Sequence, residues 1–77
     1  MTTLLDYEGE THPLTRDTDH ASSRYGLGVL TWNGDILDRA SFRFLRDYAG
    51  ATIRTDEPDR VAGALGVSSY EPGILPL

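Results

Sequence analysis

The sequence predicts an α+β fold: a small antiparallel sheet packed against one main helix, with a short second helix and an extended C-terminal tail. Three observations lead there. The first half carries β-prone residues separated by turn formers. Apolar residues recur at helical spacing from Leu37 to Tyr48. Pro72, Gly73 and Pro76 keep the tail out of any long helix. At 77 residues the chain makes one small domain. Composition divides it into an acidic, partly loop-like stretch 1–23, a core segment 24–66 and an extended tail 67–77.

The elements follow in order. Leu4, Leu5 and Tyr7 suit a short first strand, with Glu8-Gly9-Glu10 as its turn. Pro13 cannot donate to a ladder, so a regular central strand through Thr11–Thr15 is not expected. The polar run Thr15–Ser23 reads as a surface loop. Arg24–Trp32 alternates well enough for a strand, apolar on both faces toward its C-terminal end. Asn33-Gly34 is a hairpin-type dipeptide. The residues beyond it nevertheless fit a helix better, over roughly Ile36–Ala49. Asp35 would be its N-cap, Gly50 its stop, and Leu37, Ala40, Phe44, Leu45 and Tyr48 its buried stripe. Phe42 falls off that stripe. Ala51–Arg54 is a brief strand or linker. A second helix starts at Pro58, capped by Thr55 or Asp56, and ends at Gly66.

Composition narrows the function classes. Without cysteine there is no disulfide and no cysteine-ligated zinc. Twelve acidic residues against seven arginines give a net charge of -5, which disfavours phosphate-driven binding to nucleic acid. The absence of lysine fits a high-GC coding sequence and needs no function. No apolar run approaches the ~20 residues of a membrane span. Met1–Asp6 lacks the basic and apolar regions of a secretory leader, so the expected location is the cytoplasm.

Few constellations suggest chemistry. Val61-Ala62, Leu65-Gly66-Val67 and Ser68 resemble the V-A-x-x-L-G-V-S pattern of helix-turn-helix proteins. That resemblance implies DNA contacts through Arg54, Arg60, Ser68 and Ser69. It breaks where a recognition helix should lie, because Pro72-Gly73 interrupts it and nothing from Val67 to Leu77 is basic. Arg39, Arg43 and Arg46 share a helix face. The i,i+4 pairs Asp35–Arg39 and Arg43–Asp47 favour reading it as a solvated face. His12, Asp17, Asp19 and His20 lie within nine residues but match no metal-ligand spacing. Ser22 and Ser23 beside His20 lack the separate scaffold elements of a triad. So short a chain also has little room for a water-excluding pocket of ~300 Å3 or more.

Elimination leaves a non-enzymatic protein-binding module without metal or cofactor: a small regulator, inhibitor or accessory subunit of the kind phages and mobile elements carry. The partner is another protein, a second copy of the chain included. Surplus aromatics and the apolar tail nominate Trp32, Phe42, Tyr70, Ile74, Leu75 and Leu77 as the contact. The alternatives are the helix-turn-helix regulator and an acidic mimic of nucleic acid.

Overall fold

The structure, a computed structural model, describes residues 1–77. It is α+β, as the sequence predicts. Nine elements follow one another: β1 (Thr3–Tyr7), β2 (Glu10–Pro13), β3 (Thr15–Asp17), β4 (Val29–Trp32), β5 (Asp35–Leu37), α1 (Arg39–Ala49), β6 (Thr52–Thr55), α2 (Pro58–Leu65) and β7 (Ile74–Pro76). They build two sheets, one ordered β2-β1-β6-β7 and the other β3-β4-β5. No helix is long and apolar enough to cross a membrane.

The first sheet grows from a hairpin. β1 and β2 run antiparallel with Tyr7 opposite Glu10, and both Glu8 and Gly9 take positive φ between them. β1 pairs antiparallel with β6 on its other side, Leu5 opposite Ile53. Both of these side chains are fully buried. The two prolines obey the rule that a residue without N–H belongs at an edge: Pro13 sits in edge strand β2 and Pro76 in edge strand β7. Pro13 does not end the extended chain. After it, only Leu14 separates β2 from β3. Leu14 is buried and donates its N–H to the Thr3 carbonyl at 2.8 Å, so one bent ribbon serves both sheets. Thr15–Asp17 is therefore a strand, and the expected loop begins only after it.

The second sheet corrects two further expectations. The strand expected over Arg24–Trp32 is confined to Val29–Trp32. Tyr25, Gly26 and Gly28 all take positive φ, which a continuous strand does not accommodate. Its doubly covered end is the beginning, Val29-Leu30, while Thr31 and Trp32 are half-buried. Asn33-Gly34 does make a hairpin. Both residues have positive φ, 52° and 84°, as a type I′ turn requires. The chain returns as β5, placing Leu37 opposite Leu30. Pairing two buried leucines outweighs helix propensity for Ile36-Leu37, so the helix starts three residues later than its sequence period predicts.

Asp38, not Asp35, caps α1: its Oδ1 accepts from the Ser41 N–H at 2.8 Å. Those backbone and hydroxyl bonds to Ser41 hold the Asp38 carboxyl below its ordinary pKa. Gly50 closes the helix at φ 67°, as expected. β6, α2 and β7 form a β-α-β unit in which β7 runs parallel to β6. At the start of α2 the cap position is Glu57, whose side chain makes no capping bond. The Thr55 hydroxyl accepts from the Glu57 N–H instead and also meets the Thr3 hydroxyl at 2.9 Å, satisfying two polar groups inside the core.

The core joins both sheets and both helices through Leu5, Leu14, Leu30, Leu37, Phe42, Ala51, Ile53, Val61 and Leu65. The tail is extended, as its prolines dictate, but it does not hang free. Glu71, only one-tenth exposed, accepts Arg43 Nη2 at 2.8 Å and Arg43 Nε at 3.2 Å, and a further bond from Arg46 Nη1. Two residues on, Gly73 passes so close to α1 that a Cβ there would lie 2.9 Å from Arg46 Cδ and 3.1 Å from the Phe42 ring. Arg43 and Arg46 therefore anchor the tail, and the expected solvated arginine face survives only at Arg39, which donates to the Gly66 carbonyl at 3.1 Å.

Candidate functional site

The cap at Asp38 starts α1, and the packing of Gly73 and Arg46 on Phe42 decides which of its apolar residues are spent on the core. Positions four apart form rows along a helix. Phe42 and Arg46 make the row that faces inward, with Leu45 half-buried beside it. Phe42 is completely buried, and the Arg46 guanidinium lies 5.6 Å from its ring centre. The row Ala40, Phe44, Tyr48 faces the opposite way. Phe44 is 60% exposed and Tyr48 81% exposed, and their rings stack at 4.8 Å with 30° between planes.

The hairpin brings a second wall to this row. Trp32 at the end of β4 and Ile36 in β5 meet Leu37, Ala40, Ser41, Phe44 and Leu45 around an open groove of about 500 Å3. No charged residue lines it. Trp32 is steadied from behind by Tyr7, edge-on at 5.8 Å, and by His12 at 5.2 Å. Its indole N–H is buried and finds no acceptor within the protein. A rigid tryptophan wall, an alanine floor and two stacked aromatics make an apolar surface of the kind that protein contacts use.

The sequence-nominated contact residues are scattered by the fold. Trp32 lies in the groove. Phe42 is in the core and presents no surface, which removes it from any interface. It was expected off the buried stripe of the helix and is instead that helix's one fully buried residue. Tyr70 is 91% exposed in the turn Ser68–Glu71, where the Ser68 hydroxyl accepts the Tyr70 N–H. Ile74 packs on the core, while Leu75 and Leu77 are exposed along β7. None of these tail residues lines the groove. Sequence reasoning assigned Ala40, Phe44 and Tyr48 to the core and so missed the site. The signal in the sequence is the Asn33-Gly34 turn, which takes Leu37 out of the helix and so removes the first member of the expected stripe.

The other constellations resolve differently. Arg54 donates to Asp6 at 2.6 and 3.1 Å, holding that carboxyl below its ordinary pKa. Arg60 pairs with Glu57 at 3.1 Å. After α2, Ser68 and Ser69 enter a turn and then β7, so the Val61–Ser68 segment is followed by a strand and not by a recognition helix. His12 stands in β2 against Trp32, apart from the loop where Asp17 accepts the Asp19 N–H and His20 accepts the Ser22 N–H. No three His, Asp or Glu side chains converge as a metal site would require. A second hollow of about 620 Å3 lies between the 22–30 segment and the end of α2, with Arg24, Asp38 and Arg39 among its lining residues. Both hollows exceed the volume expected for so short a chain, but both are open to solvent.

No family model matches the chain, and no curated protein or solved structure is significantly similar to it.

Proposed function

We propose that the protein is a non-enzymatic protein-binding module of the cytoplasm, a regulator, inhibitor or accessory subunit, and that its contact surface is the outer face of α1 with the Trp32–Ile36 wall. One observation carries the reading: Ala40, Phe44 and Tyr48 form an unbroken apolar row that the chain's own core leaves uncovered. Exposed aromatics at helical spacing cost solubility and, beyond their mutual stack, add little to this fold. A partner that buries them recovers the hydrophobic and stacking energy, and aromatic anchors of this type dominate measured interfaces. Trp32 supplies a fixed wall because Tyr7 and His12 hold its ring.

The test is the double substitution Phe44→Gln with Tyr48→Gln, cross-linked to neighbouring proteins in host cells alongside the native chain. Proteins cross-linked to the native chain are expected to be lost from the variant while its thermal midpoint stays within a few degrees. An unchanged partner set, or turnover of a small molecule by the purified chain, overturns the reading.

A further inference from the structure

We infer that the partner covering the outer face of α1 is a second copy of this chain, packed antiparallel about a two-fold axis at Phe44. The inference rests on the protein-binding reading above and adds the identity of the partner. An isologous interface must fit its own patch after a half-turn, and this face has that property. Its hollow runs along the helical row from Ala40 to Phe44, and its protrusion, Tyr48, stands one turn beyond the end of that hollow. The hollow, of about 500 Å3, has Ala40 in its lining beside Trp32 and Ile36. The protrusion is Tyr48, 81% exposed, eight residues on and so ~12 Å further along the helix. When two copies cross antiparallel at Phe44, position 48 of each falls opposite position 40 of the other. A large ring then meets the smallest residue of the row, twice, and the two Phe44 rings meet at the axis.

Charge agrees with shape. Each chain carries a net charge of -5, so self-association requires a face that buries no acid. The groove and its row hold none. The neighbouring row is Arg39, Arg43, Asp47. In the antiparallel pair Asp47, 59% exposed and paired with Arg46 of its own chain, falls opposite position 41 of the other copy, beside Arg39, while Arg43 stays bound to Glu71. Area sets the strength. Phe44 and Tyr48 alone offer on the order of 300 Å2. With the groove walls this comes to about half of the ~800 Å2 per partner of a standard interface. The dimer is therefore weak, in the range of small transient interfaces.

Sedimentation equilibrium of the purified full chain from micromolar to millimolar concentration tests this. The expected mass rises from 8.5 kDa toward twice that value, and Phe44→Gln holds it at the monomer throughout. Orientation is read separately with a short bismaleimide, because the native chain has no cysteine. An equimolar mixture of Ala40→Cys and Asp47→Cys chains should cross-link several-fold more than either variant alone. Equal cross-linking by Ala40→Cys alone would mean a parallel pair and contradict the geometry. A dimer that survives Phe44→Gln overturns the surface. A native chain that is monomeric at millimolar concentration overturns the second copy as partner. If host proteins still cross-link to the native chain and not to the double glutamine variant, the protein-binding reading stands without it. If none do, both fail.

Discussion

The two sides of α1 are almost equally apolar and have opposite fates. On the inner side Phe42 is sealed beneath Gly73 and the Arg46 guanidinium, and Leu45 packs beside it. On the outer side Phe44 and Tyr48 stack on each other and on nothing else in the chain's core. Hydrophobicity alone does not distinguish them. What does is the tail, which the Glu71 clasp draws across Phe42 and which never reaches Phe44 or Tyr48. An amphipathic helix normally has one apolar face. A second one, in a domain with so little core, is the surface that the proposed contact uses.

Substitutions can break or sharpen this contrast. The largest effect belongs to the inner row. Phe42→Ala removes the largest fully buried side chain and should cost ~3–5 kcal/mol, comparable to the whole stability of ~3–5 kcal/mol that a domain of this size has. Circular dichroism at 25 °C should report an unfolded chain. A folded Phe42→Ala protein would mean that the inner row matters no more than the outer one.

Next comes the tail that seals the inner side. The Arg43 and Arg46 guanidinia hold the Glu71 carboxyl down at about 2, from an ordinary 4.5. A carboxyl depressed by folding stabilises the native state fully above its unfolded value, and that contribution fades as pH falls through the folded one. The clasp therefore contributes in full at pH 7, begins to weaken below about 4.5, and is gone below about 2. Asp6 and Asp38 are depressed too and weaken in the same direction. Glu71→Gln isolates the clasp. Urea midpoints should separate native and variant proteins at pH 7 and converge near pH 2. A constant gap would show that the charge on Glu71 is irrelevant.

A smaller effect falls on the cap. Asp38→Ala leaves the Ser41 N–H without its acceptor and should cost ~1 kcal/mol, read as a shift of a few degrees in thermal midpoint. The smallest effect belongs to the outer row. Phe44→Gln should change monomer stability by no more than ~0.5 kcal/mol, because its ring is mostly in water and glutamine suits a helix. A loss comparable to that of Phe42→Ala would place Phe44 in the core after all.

Much of the fold is legible in the sequence because local chemistry dictates it. The β1 turn, the glycine stops at Gly50 and Gly66, the proline start of α2 and the extended tail all follow from residues acting on their immediate neighbours. The site is less legible because it depends on a tertiary competition. Ile36-Leu37 can continue a helix or pair with β4, and only the opposing buried Leu30 decides. Once that pairing is missed, the helix starts three residues early, the cap moves to Asp35, and Leu37 joins Ala40, Phe44, Leu45 and Tyr48 in one expected buried stripe. Phe42 and Phe44 lie on opposite faces of α1, and the packing of Gly73 and Arg46 over Phe42, which no local pattern shows, decides which of them the core takes. The arginine row misleads for a related reason. Its local partners Asp35 and Asp47 are visible in sequence, whereas Glu71, 25 residues beyond Arg46, is brought to it only by the fold.

The most direct test is a dilution series followed by amide NMR on the uniformly labelled chain. If the outer face of α1 is the contact surface, concentration-dependent shifts will cluster at Trp32, Ile36, Ala40, Phe44 and Tyr48 and will be missing at Leu75 and Leu77. Shifts confined to β7 and Tyr70, with the α1 resonances unmoved, would contradict the account.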